Sequence, residues 1–503
     1  MAKAETFQDL SLTPAGEGQE LRSWLYSELR TAILDGRLRR GARMPSTRSL
    51  AKQYSLSRGT VTAAFDSLHN EGYIAALVGS GTYVSFELPD DSLAGPTAAV
   101  TPAQPSRAAL STRGNAAIGG VRLLPPSHSL GRAFRPYEPA IDLFPVALWS
   151  RVAGRVLRKA PRSLYGQGDA CGYLPLRKAI AEYVGAARGV HCEPGQVIVT
   201  SGAQQALDLA ARMLMDPGDA VWMEDPGYPG AIFALRAAGA QIIPIGVDED
   251  GLDVQEARRE APQAKLAYVT PANQFPLGGT MSPARRWALL DWASHQNAWI
   301  IEDEYDAEYR YSGRPIPALQ SLDRSGCVIY VGTFTKMLFN SLRLGFMVVP
   351  ERVAGAFAAS RTILDRHPPT LDQAILAEFI LDGHFGHHVR RMRQTYGRRM
   401  KILSEAAGLR LGGKLNVEEA DSGMRTVAWI KTGQKDRSVA ERARSQGLEL
   451  AALSEFRLTH AREDALILGF AGCTGAELRR GVDVLAHVMD GESEPQARVM
   501  AME

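Results

Sequence analysis

The stretch VGTFTKMLFNSLRLGF, Val331 to Phe346, sets the problem this chain poses. Lys336 follows an apolar run, Val328 to Val331, that reads as a buried strand, with Thr333, Thr335 and Arg343 around it. Burying an ammonium is costly. A lysine at the end of a buried strand therefore needs a chemical reason to be there.

The surrounding sequence alternates strands and helices. QVIVTSG runs into the helical AQQALDLAARML, and AVWMEDPG, AQIIPIGV, LAYVTPA, AWIIEDEY and CVIYVGT are further apolar strands, most with helical stretches between them. Such alternation argues an α/β domain with a mostly parallel sheet, whose ligands bind beyond the strand C-termini. Those ends carry chemistry. After QVIVT, Gly202 and the amides of Ala203 and Gln204 open a helix, a ready anion site. WIIEDEY ends on Asp303 and Tyr305, and VIYVGTFTK on Thr333, Thr335 and Lys336. An amine, an acid and a phosphate cup are the parts that pyridoxal 5′-phosphate requires.

The N-terminal end is different. Residues 19–86 hold nine Lys or Arg against five Asp or Glu, +4 in a chain whose total is +2, an asymmetry that favours a nucleic-acid-binding end. Leu21, Leu25, Leu29 and Ile33 recur every four residues, so Glu20 to Leu34 reads as an amphipathic helix ended near Gly36. A second helix is expected from Thr47 to Tyr54. In a third, Ser57 is the N-cap and Val61, Phe65 and Leu68 form an apolar stripe, with Gly59, Thr62, Ala63 and Asp66 on the other side. That outward face is small, as a helix lying in a major groove requires. YIAAL and TYVSF, flanking VGSG, read as a hairpin.

Between the two parts, residues 87–127 are rich in Ala, Pro, Ser, Thr and Gly without apolar periodicity and read as a flexible linker. Cys171, Cys192, Cys327 and Cys473 form no CxxC pair, leaving neither a disulfide framework nor a metal cluster to expect. The sequence shows no secretory signal and no apolar run long enough to span a bilayer, so no membrane association is expected and a cytoplasmic location is.

Two resemblances sharpen this reading. RMPSTRSLAKQYSLSRGTVTAAFDSLHNEGYIAALVGSGTYVS resembles the winged helix-turn-helix of GntR-type regulators, covering residues 19–86. The resemblance implies DNA contacts by Ser46, Arg48, Ser57, Arg58, Thr60 and Thr62, with Gly79 or Gly81 letting the wing approach the backbone. Ser46 and Arg48 suit phosphate, whereas Arg58 at a helix start could reach a guanine edge. Residues 128–490 resemble fold-type I aminotransferases, through YGQGDACGYLPLRKAIAEYV, EDPGYPGA, PANQFPLGG, EDEYDAEYR and GTFTKMLFNSLRLG, and the fold expected includes a smaller C-terminal α/β subdomain. By that resemblance Lys336 is the Schiff-base lysine, Asp303 pairs with the pyridine nitrogen, Tyr305 holds the ring hydroxyl with Asn273 or Gln274, and Tyr228 stacks on the ring. Ala203, Gln204, Thr333, Thr335 and Arg343 would bind phosphate, with Tyr165 reaching in from the second subunit.

A GntR-like head on an aminotransferase-like body is the layout of MocR-type regulators. The family implies a head-to-tail homodimer that reads direct or inverted repeats and senses pyridoxal phosphate or an amino compound. Aminotransferases commonly place a substrate-carboxylate arginine where LILGF has Ile467, which counts against amino-acid turnover. Arg425 and Arg457 are the alternative effector ligands, although each could equally be a solvated surface residue. Three readings follow: a cofactor-dependent transcription regulator, which the residues favour; an active aminotransferase carrying a DNA-binding domain; and an architectural DNA binder with a cofactor-free body.

Overall fold

The computed structural model describes residues 10–14, 19–77, 80–89, 110–111, 114–115, 133–313 and 316–491. Gly79 and most of the 87–127 segment lie outside them. The chain divides into two compact units, Met1–Ala109 and Leu110–Glu503.

In the first unit, α1 (Leu21–Leu34), α2 (Thr47–Gln53) and α3 (Arg58–Asn70) precede a hairpin of β1 (Ile74–Leu77) and β2 (Gly81–Val84). Ser46 caps α2, its hydroxyl oxygen accepting from the Ser49 amide at 3.0 Å, and Ser57 caps α3 by accepting from the Thr60 amide at 3.0 Å. Leu25, Leu29 and Ile33 of α1 are buried with Val61, Phe65 and Leu68 of α3. Leu21 departs from the expected stripe: at the first helical position it is 47% exposed, and Trp24, in edge contact with Tyr54, fills the core instead. The packing also takes in Leu10 and Leu12, held where the Trp24 indole donates to the Thr13 carbonyl (2.9 Å) and the Leu12 amide to the Tyr54 hydroxyl (3.1 Å).

The second unit is built on an eight-stranded sheet. Its strands are β3 (Val197–Thr200), β4 (Ala220–Asp225), β5 (Gln241–Asp248), β6 (Gly251–Leu252), β7 (Leu266–Val269), β8 (Trp299–Glu304), β9 (Val328–Thr333) and β10 (Gly345–Val348). They lie in the order β3-β10-β9-β8-β7-β4-β5-β6. Pairing is parallel from β9 through β8, β7 and β4 to β5, while β10 runs antiparallel to both β9 and β3. Each residue of β3, β7 and β9 is buried, which is why these strands read as unbroken apolar runs. A second, antiparallel sheet follows, β11 (Leu415–Val417), β12 (Arg425–Ile430), β13 (Ala451–Ala452) and β14 (Ala465–Gly469), in the order β11-β12-β14-β13, with helices His384–Leu411 and Gly475–Asp490. Among the described residues no helix is long and apolar enough to cross a membrane, and no His, Cys, Asp or Glu group could hold a metal ion.

Because the two units have separate cores, truncating the first should leave the second intact. Leu29→Ala removes a fully buried side chain and should cost about 2–5 kcal/mol of head stability. Calorimetry should show one transition lowered and the other unmoved, and a joint shift of both would mean that the units unfold together.

Candidate functional site

Because β3, β4, β7, β8 and β9 run in one direction, their C-terminal ends share one edge of the sheet. After β3, Gly202 takes a left-handed φ of +105° and starts the helix Ala203–Leu214. The reversed strand β10 brings Gly345 so near that an added Cβ would lie 2.8 Å from the Gly202 Cα. Arg343, itself left-handed at φ +50°, sets its guanidinium over Gly202, with Nη2 3.5 Å from where a Cβ would stand. A helix start and a guanidinium thus converge, the arrangement that holds a phosphate. The Gln204 side chain turns aside to donate to the Gly230 carbonyl at 2.8 Å, so its backbone amide is what it offers. Thr333 Oγ1 accepts from the Thr335 amide at 3.2 Å, and Thr335 Oγ1 is buried without a hydrogen-bond partner.

Lys336 follows Thr335 beyond the end of β9. Its Nζ donates to the Tyr137 carbonyl (3.0 Å) and to Asn340 Oδ1 (3.4 Å). Burial pushes its pKa down to about 8, against the pull of Glu138, with Arg343 adding to the depression. Asp303 is buried, and Tyr268 donates to its Oδ2 at 2.8 Å while Oδ1 has no partner. Burial raises its pKa to about 7, only partly offset by the Tyr268 hydroxyl. Burial likewise lifts Tyr228 to about 12, with Asp303 adding to the effect, and its ring meets Phe275 edge-on at 5.2 Å. Asn273 gives its amide to Asp306 at 2.6 Å, leaving Oδ1 buried and unpartnered. Gln274, the alternative to Asn273, is spent in its own loop on Pro226 and Phe275 carbonyls and on Glu224.

Arg425 corrects one expectation: it is no solvated surface residue. Its side chain is 1% exposed, its Nη2 donates to the Tyr305 hydroxyl (2.6 Å) and the Gln274 carbonyl (3.0 Å), its Nε to the Pro276 carbonyl (3.1 Å), and its Nη1 reaches Asp306 at 3.5 Å. Tyr137, Phe275 and Tyr305 surround it with ring faces 4.9–5.3 Å away. Burial opposes the charge, but Tyr305, Tyr137 and Asp306 outweigh it and hold the pKa above the usual arginine value. Tyr305 therefore receives Arg425 while donating to the Asn273 carbonyl at 2.8 Å. Arg457 is bound within its own loop, to the Arg462 carbonyl at 2.6 Å and near Asp464 at 3.9 Å. Ile467 is fully buried with Val427 and Leu453. Tyr165 is 61% exposed and none of the contacts above involves it.

Sequence reasoning missed Tyr137, which comes from a segment without periodicity, RPYEP, and both accepts from Lys336 and covers Arg425. It also missed Tyr268 and Asp306. The density of acids in EDEYDAE, at the end of an apolar run, was a signal for the latter.

In the first unit, Ser46 and Ser57 act as helix caps, Arg48 and Arg58 are exposed beside them, and Gly81 stands at the hairpin with φ +121°, against Arg43. Thr60 shares a 2.8 Å hydroxyl contact with Ser57, and the Thr62 hydroxyl donates to the Arg58 carbonyl at 2.9 Å.

The unpartnered Asp303 Oδ1 and Thr335 Oγ1, the lysine of lowered pKa and the anion cradle fit pyridoxal 5′-phosphate, which residues Lys336, Asp303, Tyr228, Gly202, Ala203 and Arg343 would hold. Comparison with known proteins agrees. The family "Aminotransferase class I and II" matches residues 148–485, and "Bacterial regulatory proteins, gntR family" matches residues 21–84. The chain is 42% identical to the probable rhizopine catabolism regulatory protein MocR of Rhizobium meliloti over 92% of each chain. It is 30% identical to the HTH-type pyridoxine biosynthesis transcriptional regulator PdxR of Corynebacterium glutamicum, over 95% of this chain and 97% of that one. Among solved structures it matches an archaeal alanine:glyoxylate aminotransferase, with TM-score 0.67 and 28% identity, over 73% of this chain and 92% of the other.

With a lysine pKa near 8, the fraction of neutral amine falls about tenfold for each pH unit below that value. Rapid mixing with pyridoxal phosphate should show covalent attachment accelerating up to pH 8 and levelling above it. Lys336→Ala should abolish the visible absorption of attached cofactor, and absorption that persists would reassign the lysine.

Proposed function

The chain belongs to the MocR-type regulators, a GntR-family head joined to an aminotransferase class I and II body, and from that membership we propose that an amine ligand changes its grip on DNA by displacing Lys336 from the cofactor. It is a pyridoxal-phosphate-binding transcription regulator. The observation that supports the ligand reading most is the placement of Lys336, whose pKa burial lowers and whose nitrogen, among the described residues, donates to the Tyr137 carbonyl and Asn340.

Bound there, pyridoxal phosphate supplies an aldehyde that joins one primary amine at a time, reversibly. The protein's own groups do the rest. Asp303 keeps Oδ1 for the proton of the ring nitrogen, because Tyr268 already occupies Oδ2. Tyr305 and Asn273 would present polar atoms to the ring hydroxyl, and Tyr228 would pack on the ring. Ala203, Gln204, Thr333, Thr335 and Arg343 would take the phosphate. An effector can shift DNA binding only by its different affinity for two states of the chain, and exchanging the lysine bond supplies such a difference.

We read the chain as a head-to-tail homodimer whose heads grip repeated half-sites. Tyr165 and Leu371 are exposed on neighbouring segments, joined where the Thr370 hydroxyl donates to the Leu164 carbonyl at 2.9 Å, and would offer an apolar face there. Dimerisation through that face would carry Tyr165 to the partner's phosphate. Residues 19–86 would read DNA, 87–127 link and 128–490 sense. In the head, Arg58 would reach a base edge, Ser46 and Arg48 would meet phosphate, Ser57, Thr60 and Thr62 would contact DNA beside them, and Gly79 or Gly81 would let the wing approach the backbone. The aminotransferase reading is weaker because Ile467 sits in an apolar cluster where a carboxylate-binding arginine is expected.

Titrating the protein onto its own upstream DNA, with and without pyridoxal phosphate and while recording cofactor absorption, tests the coupling. Affinity that changes with the cofactor alone marks a sensor of pyridoxal phosphate, and affinity that changes only when an amine is added marks an amine sensor. Affinity that never changes refutes the coupling. Arg58→Ala should weaken specific binding by about 1–3 kcal/mol, as for a lost base contact, and an unchanged affinity would move that contact elsewhere.

A further inference from the structure

We propose that His460 is a positioning residue for the cofactor: carrying a proton on each ring nitrogen, it clamps the loop that precedes β14 onto the segment that ends in Tyr228. The inference rests on the reading that Tyr228 packs on the cofactor ring.

Tyr228 is the N-cap of the helix Pro229–Ala238, and only Pro226 and Gly227 separate it from Asp225, the last residue of β4. That short connection leans on the loop before β14. The Gly227 amide donates to the Phe456 carbonyl at 3.1 Å. Asp225 Oδ1 accepts the Leu458 amide at 2.7 Å, and its Oδ2 accepts the amides of Thr459 and His460 at 2.7 and 2.8 Å. The Phe456 ring meets Phe275 edge-on at 5.3 Å, and Phe275 in turn meets Tyr228 at 5.2 Å. The loop arrives as a unit, because Arg457 closes it on the Arg462 carbonyl at 2.6 Å.

His460 decides how firmly the loop is held. Its Nδ1 lies 2.9 Å from Asp225 Oδ2, and its Nε2 lies 2.8 Å from Oε1 of Glu256, on the helix Val254–Glu260. A carboxylate oxygen only accepts, so both contacts are hydrogen bonds when the imidazole is charged, and the neutral ring turns a lone pair on one of the two acids. Neither acid is free to turn away: three amides hold Asp225, and Glu256 Oε2 accepts the Gly246 amide of β5 at 2.9 Å. A Cβ on Gly246 would stand 3.4 Å from the imidazole Cδ2, so β5 lies against the ring. The other charges bearing on this corner are Arg462 of the same loop, drawn by Asp248 and Asp225, and Asp248 itself, which Arg285 pairs at 2.6 Å.

Burial opposes the charge on His460, but its bonds to Glu256 and Asp225 outweigh burial and raise its pKa above the ordinary imidazole value of 6.5. A group whose pKa folding raises stabilises fully below its ordinary value, and that contribution is lost as pH rises through the raised one. The clamp is therefore closed in mildly acidic solution and released in alkaline solution.

Hydrogen–deuterium exchange on the full-length, cofactor-loaded protein reads the clamp, and the Kd for pyridoxal phosphate, followed by visible absorption, reads the positioning. Wild type and variant are compared at one pH, so the titration of Lys336 is common to both. At about pH 6, His460→Gln should speed exchange in peptides covering residues 225–230 and 456–460 and raise the Kd at least about threefold, and at about pH 9 both differences should vanish. Glu256→Gln, whose amide can meet Nε2 with or without its proton, should slow exchange in the same peptides relative to wild type at about pH 9. A His460→Gln defect equal at both pH values would reduce the residue to packing and overturn the inference, as would faster exchange with an unchanged Kd. Wild-type protein that gains no visible absorption from pyridoxal phosphate at either pH would instead sink the cofactor reading itself.

Discussion

The guanidinium of Arg425 is the joint on which the body's geometry rests. It projects from β12 of the small antiparallel sheet, yet the groups it satisfies, the Gln274 and Pro276 carbonyls, Tyr305 and Asp306, all belong to the strand ends and loops of the large parallel sheet. A buried charge is tolerated only when it is paired and its hydrogens are used, and here ring faces and acceptors do both. Because one residue meets so many partners, the position of the small sheet and the orientation of Tyr305 cannot vary independently.

The same rule explains the acids around it. Glu302, Asp303, Glu304, Asp306 and Glu308 crowd the end of β8, all buried. Each has a distinct answer to burial: Glu302 accepts the Leu319 and Gln320 amides, Glu304 takes both arms of Arg188, Glu308 accepts from Tyr183, and Asp306 is shared by Asn273 and Arg425. Asp303 has the Tyr268 hydroxyl on one oxygen and nothing on the other. Glu308 Oε2 is likewise without a hydrogen-bond partner, so an unsaturated oxygen alone does not single out Asp303; what sets it apart is its place within β8, at the strand's C-terminal end.

How much of this was legible depended on the kind of signal. Strands that are buried on both faces announce themselves as apolar runs, so the parallel sheet and the residues at its ends, from Gly202 to Lys336, could be placed from sequence. The reversed strand β10 could not, since direction leaves no trace in composition. The capping Ser57 was readable because the backbone geometry of a helix start demands an oxygen there, whereas Leu21 misled because periodicity cannot see which end of a helix lacks a neighbour. Arg425 was undecidable in principle: an arginine in a strand looks the same whether it is solvated or enclosed. Tyr137 lay in irregular chain, where no period exists to be read.

That irregular chain has a mechanical meaning. The hydrogen bond from Lys336 ends on the Tyr137 backbone, and residues 133–140 continue in the N-terminal direction toward the segment that leads to the head. Phe134 and Arg135 anchor the same stretch to Gly469 and to Glu449. The lysine therefore grips, by its main chain, a stretch that the small sheet already pins from the other side. Drawing its nitrogen away would take that donor from the Tyr137 carbonyl while Phe134 and Arg135 stay fixed, so the strain of the exchange falls on the few peptide groups between them.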